Sequence, residues 1–206
     1  MMPAKYDPHK HTRHSFRLQG YDYTQQGMYF VTICTFQREC LLGVVENEKM
    51  VANQMGRIVE EEWLNTPILR SNVLLDTFVV MPNHFHGIIE ITPADRGKAR
   101  RAPTVERFGK PVSGSLATII RSFKSATTKR INEIRDTPGQ PCWQRNYYEH
   151  IIRREEELIR ARTYIIMNPL SWHLDRENPQ NLIGARRAVP LLHRPVPIID
   201  TPNPKR

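Results

Sequence analysis

The chain has 206 residues, 39% of them hydrophobic, which favours one domain with extensions around a modest core. Lys and Arg number 30 against 21 Asp and Glu, and the formal net charge of +9 favours a polyanionic partner, nucleic acid ahead of an anionic membrane surface. No apolar run approaches the ~20 residues that cross a bilayer, and the basic N-terminus has no signal-peptide segment, so we expect a cytoplasmic protein without membrane contact.

The N-terminal third of the chain predicts a basic arm, a strand and a helix. Residues 1–25 are rich in His, Lys and Arg and show no periodicity, which indicates an extended arm. The β-branched and aromatic run MYFVTICTF at 28–36 predicts a strand. Apolar residues at partly helical spacing over 49–65 predict a helix that Pro67 ends.

The middle of the chain predicts a hairpin, followed by a loop. Residues 73–81 (VLLDTFVVM) and 84–91 (HFHGIIEI) are strand-like and are separated by the turn signal Pro82-Asn83. Residues 92–114 contain Pro, Gly and a basic cluster, which is typical of a loop.

The last third predicts a helix, a strand and a second helix. The first helix is capped by Ser113 or Ser115 and runs to about residue 135, where DTPGQP breaks it. WQRNYYEHIIR at 143–153 predicts a strand, and 155–168 predicts a helix with acidic residues at its start. Residues 176–206 are Pro-rich and predict a tail.

The predicted element order is β-α-β-β-α-β-α, which indicates one α+β domain over residues 26–175. Helices would back an antiparallel-rich sheet of ferredoxin-like type. Cys34, Cys40 and Cys142 lack metal-ligand spacing and are expected to be reduced thiols.

The block MPNHFHGII is the sharpest chemical feature of the sequence. Strand side chains alternate, so His84 and His86 would share one face at an exposed edge of the sheet while Phe85 enters the core. Two such imidazoles, with a third ligand from elsewhere, are able to hold a divalent metal, although two surface histidines are the plain alternative. A second His-x-His, at His9 and His11, lies in the arm and is expected to be solvated or to contact DNA.

The segment TYIIMNP at 163–169 is the second chemical feature. Tyr164 and Asn168 are four residues apart at the end of a helix and therefore share a face. Asn168 has an amide oxygen for a metal, with the phenol of Tyr164 one turn away. The alternative is a core tyrosine with a helix C-cap asparagine.

Together these features resemble the single-tyrosine HUH transposases, and among them the REP-associated tyrosine transposases that are related to insertion-sequence transposases. His84-Phe85-His86 matches the HUH motif, and Tyr164 with Asn168 matches the nucleophile and the polar ligand one turn after it. The blocks YFVTICT, MPNHFHGII, WQRNYYEHIIR and YIIMNP follow the order of that family's landmarks, over about residues 15–175.

The resemblance implies an HUH endonuclease fold and a mobile-element enzyme of the bacterial, nucleoid-associated cytoplasm. Mg²⁺ or Mn²⁺ would be held by His84, His86 and Asn168. Tyr164 would cut single-stranded DNA at hairpin or palindromic repeat elements, form a 5′-phosphotyrosine and later rejoin the strand. The partner would be single-stranded DNA with hairpin structure, and the enzyme would be a monomer or a homodimer.

Other residues compete for roles in this site. Tyr147 and Tyr148 are rival nucleophiles on the predicted strand, but neither has a companion ligand at helical spacing, which favours Tyr164. His150 is interpreted as structural. A basic set is the candidate for contacts with the DNA backbone, although a solvated helix face would look the same: Arg121, Lys124, Lys129, Arg130, Arg145 and Arg153.

Two other functions remain open at this point. One is a non-catalytic, domesticated DNA-binding protein, which the intact set of four site residues argues against. The other is a rolling-circle replication initiator with the same chemistry. Such initiators often carry a helicase domain, and this chain has no Walker-type phosphate loop, which favours the transposase.

Overall fold

The computed structural model describes residues 25–93, 114–175 and 177–181, which contain six strands and four α-helices. The strands are β1 Gly27–Cys34, β2 Gly43–Glu46, β3 Lys49–Ala52, β4 Val73–Val80, β5 His84–Ile91 and β6 Tyr148–Ile152. The helices are α1 Gln54–Leu64, α2 Thr66–Leu69, α3 Leu116–Arg135 and α4 Glu155–Met167. Short 3₁₀ turns lie at Phe36–Arg38 and Trp172–Leu174.

The main sheet has four strands in the order β4-β5-β1-β6, and every neighbouring pair is antiparallel. With α1 between β1 and β4, α3 between β5 and β6, and α4 after β6, this is the strand order of a ferredoxin-like sheet. The predicted α+β class and the order β-α-β-β-α-β-α are therefore confirmed. A small hairpin, β2-β3, is added between β1 and α1.

The larger core lies between one face of the sheet and helices α1 and α3. Phe85 points into it, as the strand alternation predicts, and its ring centroid lies 4.7 Å from that of Trp63 and 5.5 Å from that of Phe123. Gly87 leaves the room that this stack needs, because a Cβ there would come within 2.8 Å of the rings of Trp63 and Phe85. Burial of these aromatic rings fixes which face of β5 is left for α4.

A smaller core joins the opposite face of the sheet to α4. Phe30 and Ile88 from the sheet pack with Leu158, Ala161 and Ile165 of the helix, which recur at the spacing of one buried helix face. This packing lays α4 against the face of the sheet that carries the two histidines of β5.

The helix predicted over 49–65 is wrong in its first four residues, which form β3. Asn47 and Glu48 make the tight turn of the β2-β3 hairpin with positive φ angles of 49° and 63°. A glutamate rarely adopts this conformation, so the usual Asn-Gly hairpin signal is missing from the sequence. The helix begins after Asn53, whose side chain accepts two backbone N–H groups, and it ends at Leu64. Pro67 lies in the first turn of the short α2.

The strand predicted over 143–153 is shorter than expected, since β6 begins at Tyr148. The Lys124 ammonium donates to the backbone carbonyls of Gln144, Arg145 and Asn146 at 2.6, 3.2 and 3.3 Å. This contact directs those carbonyls toward α3, so they are not available to a strand ladder.

The remaining boundaries agree closely with the sequence. Ser115 caps α3 by accepting from the backbone N–H of Thr118, and all three cysteines are free thiols. None of the helices in the described part of the chain is long and apolar enough to cross a membrane. The arm up to residue 24, with His9 and His11, lies outside the described residues, as do 94–113 and the tail from 182.

Candidate active site

The two histidines of β5 lie on the face of the sheet that α4 covers. The expectation that they share an exposed edge is wrong, because β5 is an inner strand between β4 and β1. His84 is fully buried and His86 is 4% exposed. Besides α4, the segment after it approaches this face, and the Trp172 ring centroid lies 5.9 Å from that of His84.

The neighbouring Asn83 determines which nitrogen of His84 carries a proton. The Asn83 amide nitrogen donates to the carbonyls of Arg38 and Glu177, at 3.1 and 2.5 Å. Its oxygen therefore faces His84 Nδ1, 3.0 Å away, and can only accept. In the neutral ring Nδ1 carries the hydrogen, and Nε2 is left with a free lone pair.

His86 also presents an unused nitrogen to the site. Its Nδ1 lies 2.8 Å from the hydroxyl of Thr32 on β1, and its ring stacks on Phe30 with 5.4 Å between centroids. Its Nε2 is buried and has no hydrogen-bond partner among the described residues. A buried polar atom without a partner is uncommon, and at a site of this kind it indicates an ion or water as the partner.

Helix α4 brings the other two predicted residues to the histidines. Asn168 is buried, and its Oδ1 lies 3.3 Å from His84 Nε2. The ring of Tyr164 lies 5.1 Å from that of His86, centroid to centroid, in an edge-to-face arrangement. The structure thus brings together His84, His86, Tyr164 and Asn168, although about 80 residues of sequence separate the two pairs. Asn168 is also the C-cap residue of α4, so the alternative role expected for it from the sequence is present as well.

Burial controls the protonation of these groups. It lowers the pKa of His84 to about 4, against the opposing effects of the Asp175 carboxylate and the contact with Asn168. Burial, and then the neighbouring His84, place the pKa of His86 well below its usual value. Both rings are therefore neutral at pH 7, which is the form that binds metals. Burial, then the Asp175 charge, raise the pKa of Tyr164 to about 12.

The donor set fits a divalent cation in its chemistry. It combines two neutral imidazole nitrogens with an amide oxygen, ligands that suit borderline and hard divalent ions. In residues 25–93, 114–175 and 177–181, no group of three or more His, Cys, Asp or Glu side chains is arranged to hold a metal ion. The set therefore depends on the amide of Asn168.

The rival tyrosines separate onto the two faces of the sheet. Tyr147 packs against the larger core, whereas Tyr148 packs in the smaller core with Phe30 and Tyr164. Tyr148 pairs across the strands with Thr32, so it shares the face of the histidines. His150 Nε2 lies 3.8 Å from a carboxylate oxygen of Glu157 at the start of α4.

Most of the predicted DNA-binding residues lie on the side of the sheet away from the histidines. Four of them lie on α3, which packs on the opposite face of the sheet. Lys124 is held by three carbonyls, and Arg130 pairs with Glu61 and Glu62 at 2.6 and 2.8 Å. The other four side chains are exposed and remain candidates for DNA contact: Arg121, Lys129, Arg145 and Arg153.

Three residues at this site are absent from the sequence-based set. Thr32 could have been found from the alternation of β1, but its pairing with β5 was unknown. In the sequence, Asn83 indicates only a turn. Asp175, whose Oδ2 lies 3.9 Å from His84 Nε2, stands at the end of the predicted domain and carries no sequence signal.

Comparison with known proteins gives a relative that is similar in sequence and solved structures that are similar in fold. No family model matches the chain. An uncharacterized protein of Haemophilus influenzae is 40% identical over 183 residues, covering 85% of this chain and 98% of the relative.

Two solved structures resemble the chain at low identity. One is a REP-associated tyrosine transposase bound to a REP hairpin, with a TM-score of 0.49 and 17% identity over 80% of this chain and 77% of the other. The second is a candidate transposase of Deinococcus radiodurans, with a TM-score of 0.38 and 16% identity over 73% and 96% of the two chains. Both of these solved structures are described as transposases. The identity and mutual coverage with the Haemophilus influenzae protein show that it and this chain belong to one family.

Proposed function

We propose that this protein is a metal-dependent transposase that cleaves and rejoins single-stranded DNA at hairpin or palindromic repeat elements through a 5′-phosphotyrosine. The observation that carries the proposal is the convergence of a phenol with three neutral lone-pair donors in one buried site. The Tyr164 ring lies 5.1 Å from that of His86, and Asn168 Oδ1 lies 3.3 Å from His84 Nε2.

In the proposed reaction the Tyr164 oxygen attacks the phosphorus of a DNA phosphodiester. An O–P bond to the tyrosine forms, the P–O3′ bond breaks, the phenol proton is lost and the 3′ oxygen leaves as a hydroxyl after taking up a proton. Resealing is the reverse step, in which a 3′-hydroxyl attacks the phosphotyrosine and releases the phenol. One ester replaces another in each direction, so no external energy source is needed.

The raised pKa of Tyr164 limits how much of its nucleophilic form is present. A pKa of about 12 leaves little phenolate at neutral pH, so the attacking group needs activation. A divalent cation bound by His84, His86 and Asn168 would polarise the scissile phosphate and offset the charge that develops there.

The packing of α4 against the sheet orients the proposed nucleophile and the proposed metal ligand on that helix. Tyr164 and Asn168 lie on one face of α4, and the packing of Leu158, Ala161 and Ile165 holds that face against the sheet. Preorganisation of this kind contributes to rate because the groups need not be ordered during the reaction. The bulk charge of +9 is consistent with a DNA substrate.

The test is formation of a covalent adduct with DNA. The full chain is incubated with Mn²⁺ and labelled single-stranded DNA that contains palindromic repeats from the flanking genome, then denatured and analysed by gel electrophoresis. We expect a denaturation-resistant adduct that disappears in Tyr164→Phe while DNA binding persists. Tyr148→Phe is the matched control, because Tyr148 lies on the same face of the sheet. An adduct in Tyr164→Phe that is lost in Tyr148→Phe would reassign the nucleophile.

The same assay separates the alternatives. Binding without any adduct, under every metal tested, would favour a non-catalytic DNA-binding protein. A rolling-circle initiator would form the adduct as well, but at a replication origin and without a preference for palindromic repeats.

A further inference from the structure

Asp175 approaches the two histidines from the segment that follows α4. Its Oδ2 lies 3.9 Å from His84 Nε2, the same nitrogen that Asn168 Oδ1 faces at 3.3 Å. The Asp175 carboxylate also acts on Tyr164, whose pKa it raises by its charge. The side chain is only 11% exposed, so it belongs to the buried site and not to the solvated surface.

Hydrogen bonds and an ion pair connect Asp175 and Glu177 to residues beside the strand that carries the histidines. Asp175 Oδ1 accepts the backbone N–H of Glu177 at 2.7 Å. The carboxylate of Glu177 pairs with Arg38 Nε at 3.0 Å, and its carbonyl accepts from the amide of Asn83. Asn83 therefore orients His84 and also holds the turn of Asp175, so the two groups are positioned together.

These contacts leave several acceptors facing one another with no hydrogen to share. With Nδ1 donating to Asn83, His84 Nε2 has only a lone pair, and it faces an amide oxygen and a carboxylate oxygen. Independently, the buried Nε2 of His86 has no hydrogen-bond partner among the described residues. Buried lone pairs in contact repel unless a cation lies between them, which is the arrangement of a metal site.

We propose that Asp175 supplies the one negative charge that a cation held by this otherwise neutral set of donors requires; as placed, its carboxylate does not complete a ligand group with the two histidines. The inference rests on the proposed function, since it concerns the cation that His84, His86 and Asn168 would hold. Hard divalent ions such as Mg²⁺ and Mn²⁺ prefer carboxylate oxygens, and sites for them commonly include at least one carboxylate. Two neutral imidazoles and an amide alone would bind such ions weakly.

The test measures Mn²⁺ binding directly and does not require DNA cleavage. Free Mn²⁺ is counted by electron paramagnetic resonance in titrations of the full chain, of Asp175→Asn and of Asp136→Asn. Asparagine keeps an oxygen that accepts from Glu177, removes the charge and replaces the other carboxylate oxygen with an NH2 group. Asp136 is a matched control, because it lies at the exposed C-cap of α3 with φ 50°, a conformation that asparagine tolerates. Thermal unfolding without metal verifies that all variants are folded.

We expect Asp175→Asn to weaken Mn²⁺ binding by about tenfold to a hundredfold, the range seen when groups of a metal site are removed, and Asp136→Asn to bind as the wild type does. His84→Ala serves to separate the two proposals. If His84→Ala loses Mn²⁺ and Asp175→Asn binds normally, the role of Asp175 is refuted while the metal site of the proposed function stands. If His84→Ala binds as tightly as the wild type, or the wild type binds no Mn²⁺, the metal site itself is refuted and Asp175 with it.

Discussion

The ion pair that ties α4 to the sheet should measurably stabilise the domain. A bulge between Leu75 and Phe78 interrupts the register of β4 and turns Asp76 toward α4. Arg162 donates to both oxygens of Asp76, from Nε at 2.9 Å and from Nη2 at 2.6 Å. Arg162 lies two residues before Tyr164, so this fork fixes the helix that carries the proposed nucleophile. The substitution Asp76→Asn removes the charge and keeps the oxygen that accepts from Thr77.

The size of the effect follows from the pKa of Asp76. The hydrogen bond from Arg162 is the largest cause that lowers this pKa, from 3.8 to about 2, and a shift of that size corresponds to an upper bound of about 2.5 kcal/mol in the free energy of unfolding. The Arg162 side chain is 41% exposed and solvent screens the pair, so we expect Asp76→Asn to cost about 0.5–1 kcal/mol at pH 7.

The pH dependence of this cost has a definite sign. Because the folded pKa is depressed, the stabilisation is fully present above the unfolded value near 3.8 and is lost as the pH falls through about 2. The penalty of Asp76→Asn should therefore shrink to about half at pH 3.

A double-mutant cycle measures the coupling free energy between the two side chains. It requires urea unfolding of the wild type, Asp76→Asn, Arg162→Ala and the double variant. Asp136→Asn controls for the loss of one negative charge elsewhere. The reasoning is refuted if the two substitutions add without coupling, or if the penalty is the same at pH 3 and pH 7.

Three more predictions concern the site and the basic residues. The free energy of unfolding should fall as the pH drops from about 6.5 to about 4. The pKa values of His84 and His86 are depressed in the folded chain, so over this range the unfolded chain binds protons that the folded chain does not. Urea titrations should show a smaller fall for His84→Ala than for the wild type. Asn83→Ala should lower Mn²⁺ affinity by about tenfold to a hundredfold in the same titration used for Asp175, and unchanged affinity would contradict its role in orienting His84. Lys124→Met should lower the free energy of unfolding in urea by about 1–3 kcal/mol, because three carbonyls lose a buried donor. Arg121→Ala should leave that free energy unchanged and reduce the salt dependence of DNA binding by about one phosphate contact. The reverse pattern would show that Lys124 is the residue that binds DNA.

Local backbone geometry explains why much of the fold could be predicted. A strand alternates its side chains and a helix repeats every 3.6 residues, whatever the rest of the chain does. The opposite orientations of Phe85 and the two histidines and the shared face of Tyr164 and Asn168 follow from these rules alone. The sequence left the cap of α3 open between Ser113 and Ser115, and the structure has Ser115. The hairpin at 43–52 escaped prediction because its turn uses Asn47 and Glu48 without a glycine.

The surroundings of each residue depend on pairing and packing between segments far apart in sequence, and only the tertiary structure decided them. The strand order places β5 inside the sheet, so the histidines are buried and neutral where an exposed edge was expected. The carbonyls around Lys124 occupy a side chain whose charge suggested a DNA contact. The approach of Asp175 to His84 is likewise a contact across the fold, and no local periodicity encodes which distant side chain will fill the remaining space beside a buried imidazole.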